Sequence, residues 1–225
     1  MEQSTPAMDN HAVFIVVMGV SGTGKSTLGN ALAKALDMPY VEGDDLHPKS
    51  NVEKMSSGIP LNDADREPWL ELVRTTAEHK IVEQQTDART KENKCHGVVI
   101  TCSSLKKYYR EILRGEGKPA GKDKVPDHLE PAEPHIFPTY FVFIQGSRET
   151  LLDRMEKRPG HFMKAGMLDS QLNTLESPVG EGGVVVVSTE DPTEKQIESA
   201  EDQLVKIAGP YFKEHIVKRR GERGQ

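Results

Sequence analysis

Gly19 and Gly24 stand five residues apart, and Lys25, Ser26 and Thr27 follow directly, a spacing suited to a backbone that curls around an anion. The run Gly19, Val20, Ser21, Gly22, Thr23, Gly24, Lys25, Ser26, Thr27 leaves an apolar, strand-like stretch, Val13 to Met18, and opens a helix-forming one. Glycines allow several N–H groups to point at one negative centre, and a helix starting near Lys25 adds the positive end of its dipole. This is the pattern of a phosphate-binding P-loop. It implies a nucleoside triphosphate such as ATP, with Lys25 reaching the β and γ phosphates and the Ser26 hydroxyl ligating Mg²⁺. An ordinary Gly/Ser turn can match the same letters. The order strand, loop, helix, together with the apolar stripe Leu28, Ala31, Leu32 and Ala35, argues for the phosphate site instead.

Nucleotide loops serve kinases, switches and motors alike, so the choice among them falls to the next segment. Pro39 to Val41 reads as a second strand, followed by Glu42, Gly43, Asp44, Asp45, Leu46, His47 and Pro48. A carboxylate leaving the carboxyl end of a parallel strand beside the P-loop lies where open α/β sheets bind their ligands, which sets Asp44 to face a phosphoryl acceptor. Glu42, two residues earlier on the same side of the strand, is a weaker candidate for holding a metal-bound water. Asn51, Lys54, Met55, Gly58, Pro60, Leu61, Asp63, Asp65, Arg66, Pro68, Trp69 and Leu70 then mix polar groups with rigid turn residues in a way that no simple core helix requires.

From Gly43 to Leu70 the chain closely resembles the gluconokinase family of P-loop small-molecule kinases. The resemblance resumes at Cys102 to Arg110 and again from Arg154 and Arg158 through His161, Leu168, Gln171 and Glu176 to Pro178, in the family's order. It implies ATP- and Mg²⁺-dependent phosphorylation of D-gluconate to 6-phospho-D-gluconate, an entry to the pentose phosphate pathway. It further implies a P-loop kinase fold with a five-stranded parallel sheet in the order 2-3-1-4-5, helices on both faces, a mobile lid and a homodimer. Asp45 is often aromatic in relatives and receives no catalytic role. By the same resemblance His47, Lys54, Arg66, Lys107, Arg110 and His161 are expected to join Asp44 in holding the sugar acid. Lys106, Lys107 and Arg110 stand at helical spacings beyond the third strand, where an ordinary solvated face is the competing reading. Arg154 and Arg158, one helical turn apart, resemble the lid arginines of small-molecule kinases, which contact the nucleotide and the transferring phosphate. Two other readings stay open: a kinase of another polyol acid or nucleotide, and a non-catalytic nucleotide switch. Asn93, Lys94, Cys95, His96 narrowly misses a guanine-reading pattern because His96 stands where a carboxylate is needed.

The elements that must hold these groups alternate. Strands are expected near 13–18, 39–42, 97–102, 139–145 and 183–188. Helices are expected near 25–36, 50–57, 66–87, 105–113, 148–157, 164–174 and 193–208, a pattern of parallel sheet and crossover helices. Trp69, Leu70, Val73, Ala77 and Ile81 share one helix face, and Trp69 is read as core. A chain of 225 residues suits one domain, expected over 13–212, between an N-terminal tail 1–12 and a C-terminal tail 213–225. Residues 115–138, rich in Gly, Pro and charge, read as an inserted loop, and the lid is expected near 154–165. A net charge of −6 argues against a nucleic-acid surface, and no apolar run approaches a membrane helix. Two cysteines, Cys95 and Cys102, give no disulfide framework, and with no signal-peptide pattern the cytoplasm is expected.

Overall fold

The computed structural model describes residues 12–86, 95–116, 137–157 and 165–224. Five parallel strands form one sheet in the order β2-β3-β1-β4-β5. These are β1 (Ala12–Met18), β2 (Tyr40–Val41), β3 (His96–Thr101), β4 (Thr139–Gln145) and β5 (Val184–Ser188). β1 is central and buried along its whole length, which is why its sequence, AVFIVVM, has no polar face. Successive side chains take opposite sides. Val13, Ile15 and Val17 enter one core with Leu28, Leu32 and Leu36 of α1 (Lys25–Leu36) and with Ala200 and Leu204 of α7 (Thr193–Ile207). Phe14, Val16 and Met18 enter the other, with Trp69, Leu70, Val73, Ala77 and Ile81 of α3 (Asp63–Thr86) and Tyr109, Ile112 and Leu113 of α4 (Lys107–Arg114).

Between β2 and α3 lie a 3₁₀ turn, Gly43–Leu46, and α2 (Lys49–Ser56). α3 starts at Asp63, three residues ahead of the expectation, because Asn62 and Asp65 cap it reciprocally: Asn62 N donates to Asp65 Oδ2 at 2.8 Å and Asp65 N to Asn62 Oδ1 at 2.9 Å. α5 (Arg148–Glu156) and α6 (Ala165–Thr174) are joined by a forked Arg148–Asp169 pair at 2.6 and 3.0 Å.

The expected tail 213–225 is corrected for the residues described. α8 (Pro210–Arg223) runs through it, with Phe212 and Ile216 in the core and Arg220 and Arg223 both on the buried Glu201 of α7. The tail 1–12 apart from Ala12, and the inserted loop apart from its ends, lie outside the described residues. Among those described, no helix is long and apolar enough to cross a membrane.

Candidate active site

Because β1 is pinned on both edges, the turn that follows it is fixed in space, and only six residues separate Met18, the end of the strand, from the start of α1. Gly24 caps α1 at φ 92° with no side-chain cap, so the first N–H groups of the helix are not spent on a side chain of the cap. Gly22 also takes a positive φ, 83°, where a Cβ would press on Met155. The loop is braced from within by Thr23 Oγ1 donating to Val20 O at 2.8 Å and Lys25 Nζ to the same carbonyl at 3.1 Å. From above, Gln171 Oε1 of α6 accepts the Ser21 N–H at 2.7 Å, and Val20 packs with Leu105, Leu151, Met155 and Leu168. Burial pushes the Lys25 ammonium below its ordinary pKa, and the nearby carboxylates of Asp44 and Glu42 oppose that shift. The lysine therefore shares its neighbourhood with both acids from the end of β2.

Glu42 is held by three hydroxyls. Tyr40 Oη donates to Oε2 at 2.7 Å, Thr101 Oγ1 donates to Oε1, and the Ser26 hydroxyl lies alongside. Burial alone would raise its pKa, but the hydrogen bonds from Ser26, Thr101 and Tyr40 and the charge of Lys25 outweigh it and hold the carboxyl below the usual range. Two hard oxygen donors side by side suit Mg²⁺, which takes few protein ligands and completes its shell with water and phosphate. Among the described residues no group of three or more His, Cys, Asp or Glu side chains is placed to hold a metal.

Asp44 is exposed in the 3₁₀ turn, and its backbone is set by Gly43. Gly43 N donates to Thr101 Oγ1 at 3.0 Å, and Gly43 O accepts from Trp69 Nε1 at 2.8 Å. A Cβ at this position would stand 1.8 Å from Thr101 O, so only glycine fits. His47 stacks on Trp69 with ring centroids 4.0 Å apart and planes 16° from parallel. Asn51 Nδ2 lies 3.3 Å from His47 Nδ1 and donates to Asp65 O at 2.7 Å. An amide nitrogen only donates, so Nδ1 accepts and the ring proton sits on Nε2. Burial, helped by the Arg66 charge and opposed by Asp44, holds the imidazole below its ordinary pKa, hence neutral at pH 7.

The basic residues divide. Lys54 pairs with Asp65 at 2.5 Å, and the Arg66 guanidinium donates to Leu61 O, so both brace the segment that carries His47. Lys106 holds Asp63 at 2.7 Å, where the Tyr109 hydroxyl also binds, while Lys107 is exposed and gives its backbone N–H to Glu176 Oε2 at 2.6 Å. Arg110, expected to touch the sugar acid, is corrected: it is 0% exposed and every donor is used. Nε and Nη2 fork onto Glu181 at 2.9 and 2.5 Å, Nη1 meets Ser104 O and Leu105 O, and Nη2 also meets Glu176 O. A guanidinium has five N–H groups, and these bonds account for all of them. Arg154, expected on the transferring phosphate, donates to Thr189 O in this arrangement. Arg158 and His161 of the expected lid lie outside the described residues, as do Asn93 and Lys94. Thr101, Tyr40 and Gln171 were not anticipated as parts of the site, and Trp69, read as core, is core and also carries the Gly43 carbonyl. Thr101 carried one faint signal, a hydroxyl directly after the apolar run Val98, Val99, Ile100.

An AAA-domain family model matches residues 15–176. The gluconokinase of Gluconobacter oxydans is 46% identical over 177 residues, covering 79% of this chain and 83% of the relative. The thermoresistant gluconokinase of Escherichia coli is 37% identical over 204 residues, covering 90% of this chain and 98% of the relative. Among solved structures, a gluconokinase from Sinorhizobium meliloti superposes with a TM-score of 0.64 at 40% identity, over 86% of this chain and 92% of that one.

Proposed function

Because the chain belongs to the gluconokinase family, we propose that it transfers the γ-phosphoryl group of ATP to D-gluconate, giving 6-phospho-D-gluconate, with Asp44 on the acceptor side. The observation that carries this reading beyond the family is the anchored turn: Gly43 is gripped by Thr101 and Trp69, and the charge of Asp44, the next residue, acts on Lys25. An acid so fixed next to a phosphate loop serves an acceptor hydroxyl.

The P-loop N–H groups and Lys25 bind the nucleotide phosphates. Ser26 Oγ and Glu42 are the oxygens that would hold Mg²⁺. Held there, the ion would supply positive charge against the charge that develops on the transferring phosphate. Phosphoryl transfer passes through a loose transition state, so alignment outweighs proton abstraction, and Asp44 chiefly orients the hydroxyl. His47, Lys54, Arg66 and Lys107 line the acceptor side, and His47, neutral with its proton on Nε2, offers a donor to a sugar hydroxyl. Arg154 would reach the phosphates on leaving Thr189 O, with Arg158 assigned to the same phosphates and His161 to the sugar acid. A cytoplasmic setting and a homodimer complete the proposal, the latter open to sedimentation velocity.

The test is ADP formation from ATP and Mg²⁺ across a panel of D-gluconate, other aldonic and uronic acids, shikimate and nucleoside monophosphates. Strong dependence on D-gluconate is the expected result. ADP released equally without any acceptor, or preferentially with a nucleotide, would overturn the assignment.

A further inference from the structure

Resting on that kinase reading, we propose that Thr101 is a positioning residue for the transfer: one hydroxyl joins Glu42, on the metal side, to the backbone that carries Asp44, on the acceptor side. Thr101 ends β3 and is 1% exposed. Its Oγ1 accepts the Gly43 N–H at 3.0 Å and donates its own proton to Glu42 Oε1. A hydroxyl has one proton and two lone pairs, so the two bonds do not compete, and each polarises the other.

Tyr40 Oη donates to Glu42 and also interacts with Thr101 and Ser26, while Trp69 Nε1 holds the carbonyl of Gly43. Thr101 is further tied to the nucleotide loop through the sheet, since it sits opposite Val17 of β1 and the next residue, Cys102, donates its N–H to Val17 O at 3.1 Å. The strand end presses directly on the turn as well, Thr101 O being the atom that forbids a Cβ on Gly43. Thr101 thus contacts the metal-side acid and the acceptor-side turn directly, from a strand paired with the one that leads into the P-loop. Supporting hydrogen bonds of this kind typically carry about 10–100-fold in metal affinity or activity.

Thr101→Val keeps the shape and removes the hydroxyl, whereas Thr101→Ser keeps the hydroxyl and removes the methyl. Calorimetry of ADP binding with Mg²⁺ and with EDTA gives the enhancement due to the metal, and steady-state assays give kcat. The expected result for Thr101→Val is a reduced Mg²⁺ enhancement, unchanged ADP affinity in EDTA and a kcat lower by about 10–100-fold, with Thr101→Ser close to wild type in all three. Should Thr101→Val fail to fold by far-UV circular dichroism, Thr101→Ala is compared with Thr101→Ser, since that pair differs by the hydroxyl alone. A folded Thr101→Val with wild-type Mg²⁺ enhancement and kcat, or an Ala variant equal to the Ser variant in both, overturns the proposal. A wild-type protein that makes no ADP from gluconate would instead remove the kinase reading and the acceptor half of the link, while the Mg²⁺ enhancement still decides the Glu42 half.

Discussion

Asp44 and Gly43 illustrate how differently two neighbours can matter. Asp44 is exposed and contributes through its charge, so Asp44→Asn should leave the fold and nucleotide affinity intact while lowering kcat by about 10² or more, the range typical of groups that handle an acceptor proton. Steady-state rates beside ATP calorimetry would check this, and an equal loss in both would reassign Asp44 to the nucleotide. Gly43 contributes through the absence of a side chain. Gly43→Ala must push the turn off Thr101 O, breaking the Thr101 and Trp69 hydrogen bonds together. We expect a stability loss of about 1–3 kcal/mol from the overpacking, and gluconate turnover lost with ADP binding retained, as read by urea unfolding and calorimetry. Wild-type turnover in Gly43→Ala would show that the turn does not position Asp44.

At the scale of elements, the β3–α4 corner is held by Arg110, whose guanidinium joins the entry of α4 to Glu176 and Glu181 ahead of β5. Glu181 answers with a carboxyl held below the usual range, chiefly by its bond to Arg110. Arg110→Met would leave Glu181 with only the longer Arg114 contact at 3.5 Å and take a donor from the carbonyls of Ser104, Leu105 and Glu176, and breaking a buried pair from one side costs about 3–5 kcal/mol. The gluconate KM of the folded variant, assayed below its melting temperature, should stay within about twofold of wild type, because a group with no spare donor has none for substrate. Adding Glu181→Gln to Arg110→Met should recover part of the stability, as a double-mutant cycle would measure. A large rise in KM with little loss of stability would restore Arg110 to the substrate. α6 is positioned by comparable means, Gln171 on the Ser21 N–H and Asp169 on Arg148, so the helix that follows the expected lid is already clasped to the phosphate loop.

Across the whole molecule, what could be read from sequence was what local pattern encodes. Parallel strands covered on both faces must be nearly all apolar, so β1, β3, β4 and β5 announced themselves, and the P-loop did because its glycines and Lys25 act within a few residues. Thr101 and Arg110 did not, since their partners lie 58 and 71 residues away and nothing in β3 or α4 names them. α8 was missed for a related reason: only Phe212 and Ile216 are buried in it, and the rest is charge whose partner, Glu201, belongs to α7. That same docking of α8 predicts an acid response. His215 Nε2 donates to Leu36 O at 2.7 Å, and burial, with Arg219 and Lys218 nearby, holds its pKa below the ordinary value against the opposing pull of Leu36 O and Asp37. His47 is held low as well, chiefly by burial. Each stays neutral in the fold while the unfolded chain takes up a proton near pH 6.5, so the unfolded state binds more protons as pH falls. Their contribution is therefore complete above about pH 6.5 and declines below it, at no more than about 1.4 kcal/mol per pH unit for each histidine. The carboxyls held low, Asp63, Asp65, Glu42 and Glu181, act in the same sense at lower pH, their contribution present above about pH 4.5 and lost only below it. Urea unfolding should accordingly give a plateau from pH 8 to 7 and a first decline between 6.5 and 5. His215→Gln, which keeps a donor for Leu36 O without a titrating ring, should shallow that decline while leaving gluconate turnover unchanged. An identical slope in His215→Gln and wild type would mean that α8 is not the acid-sensitive contact.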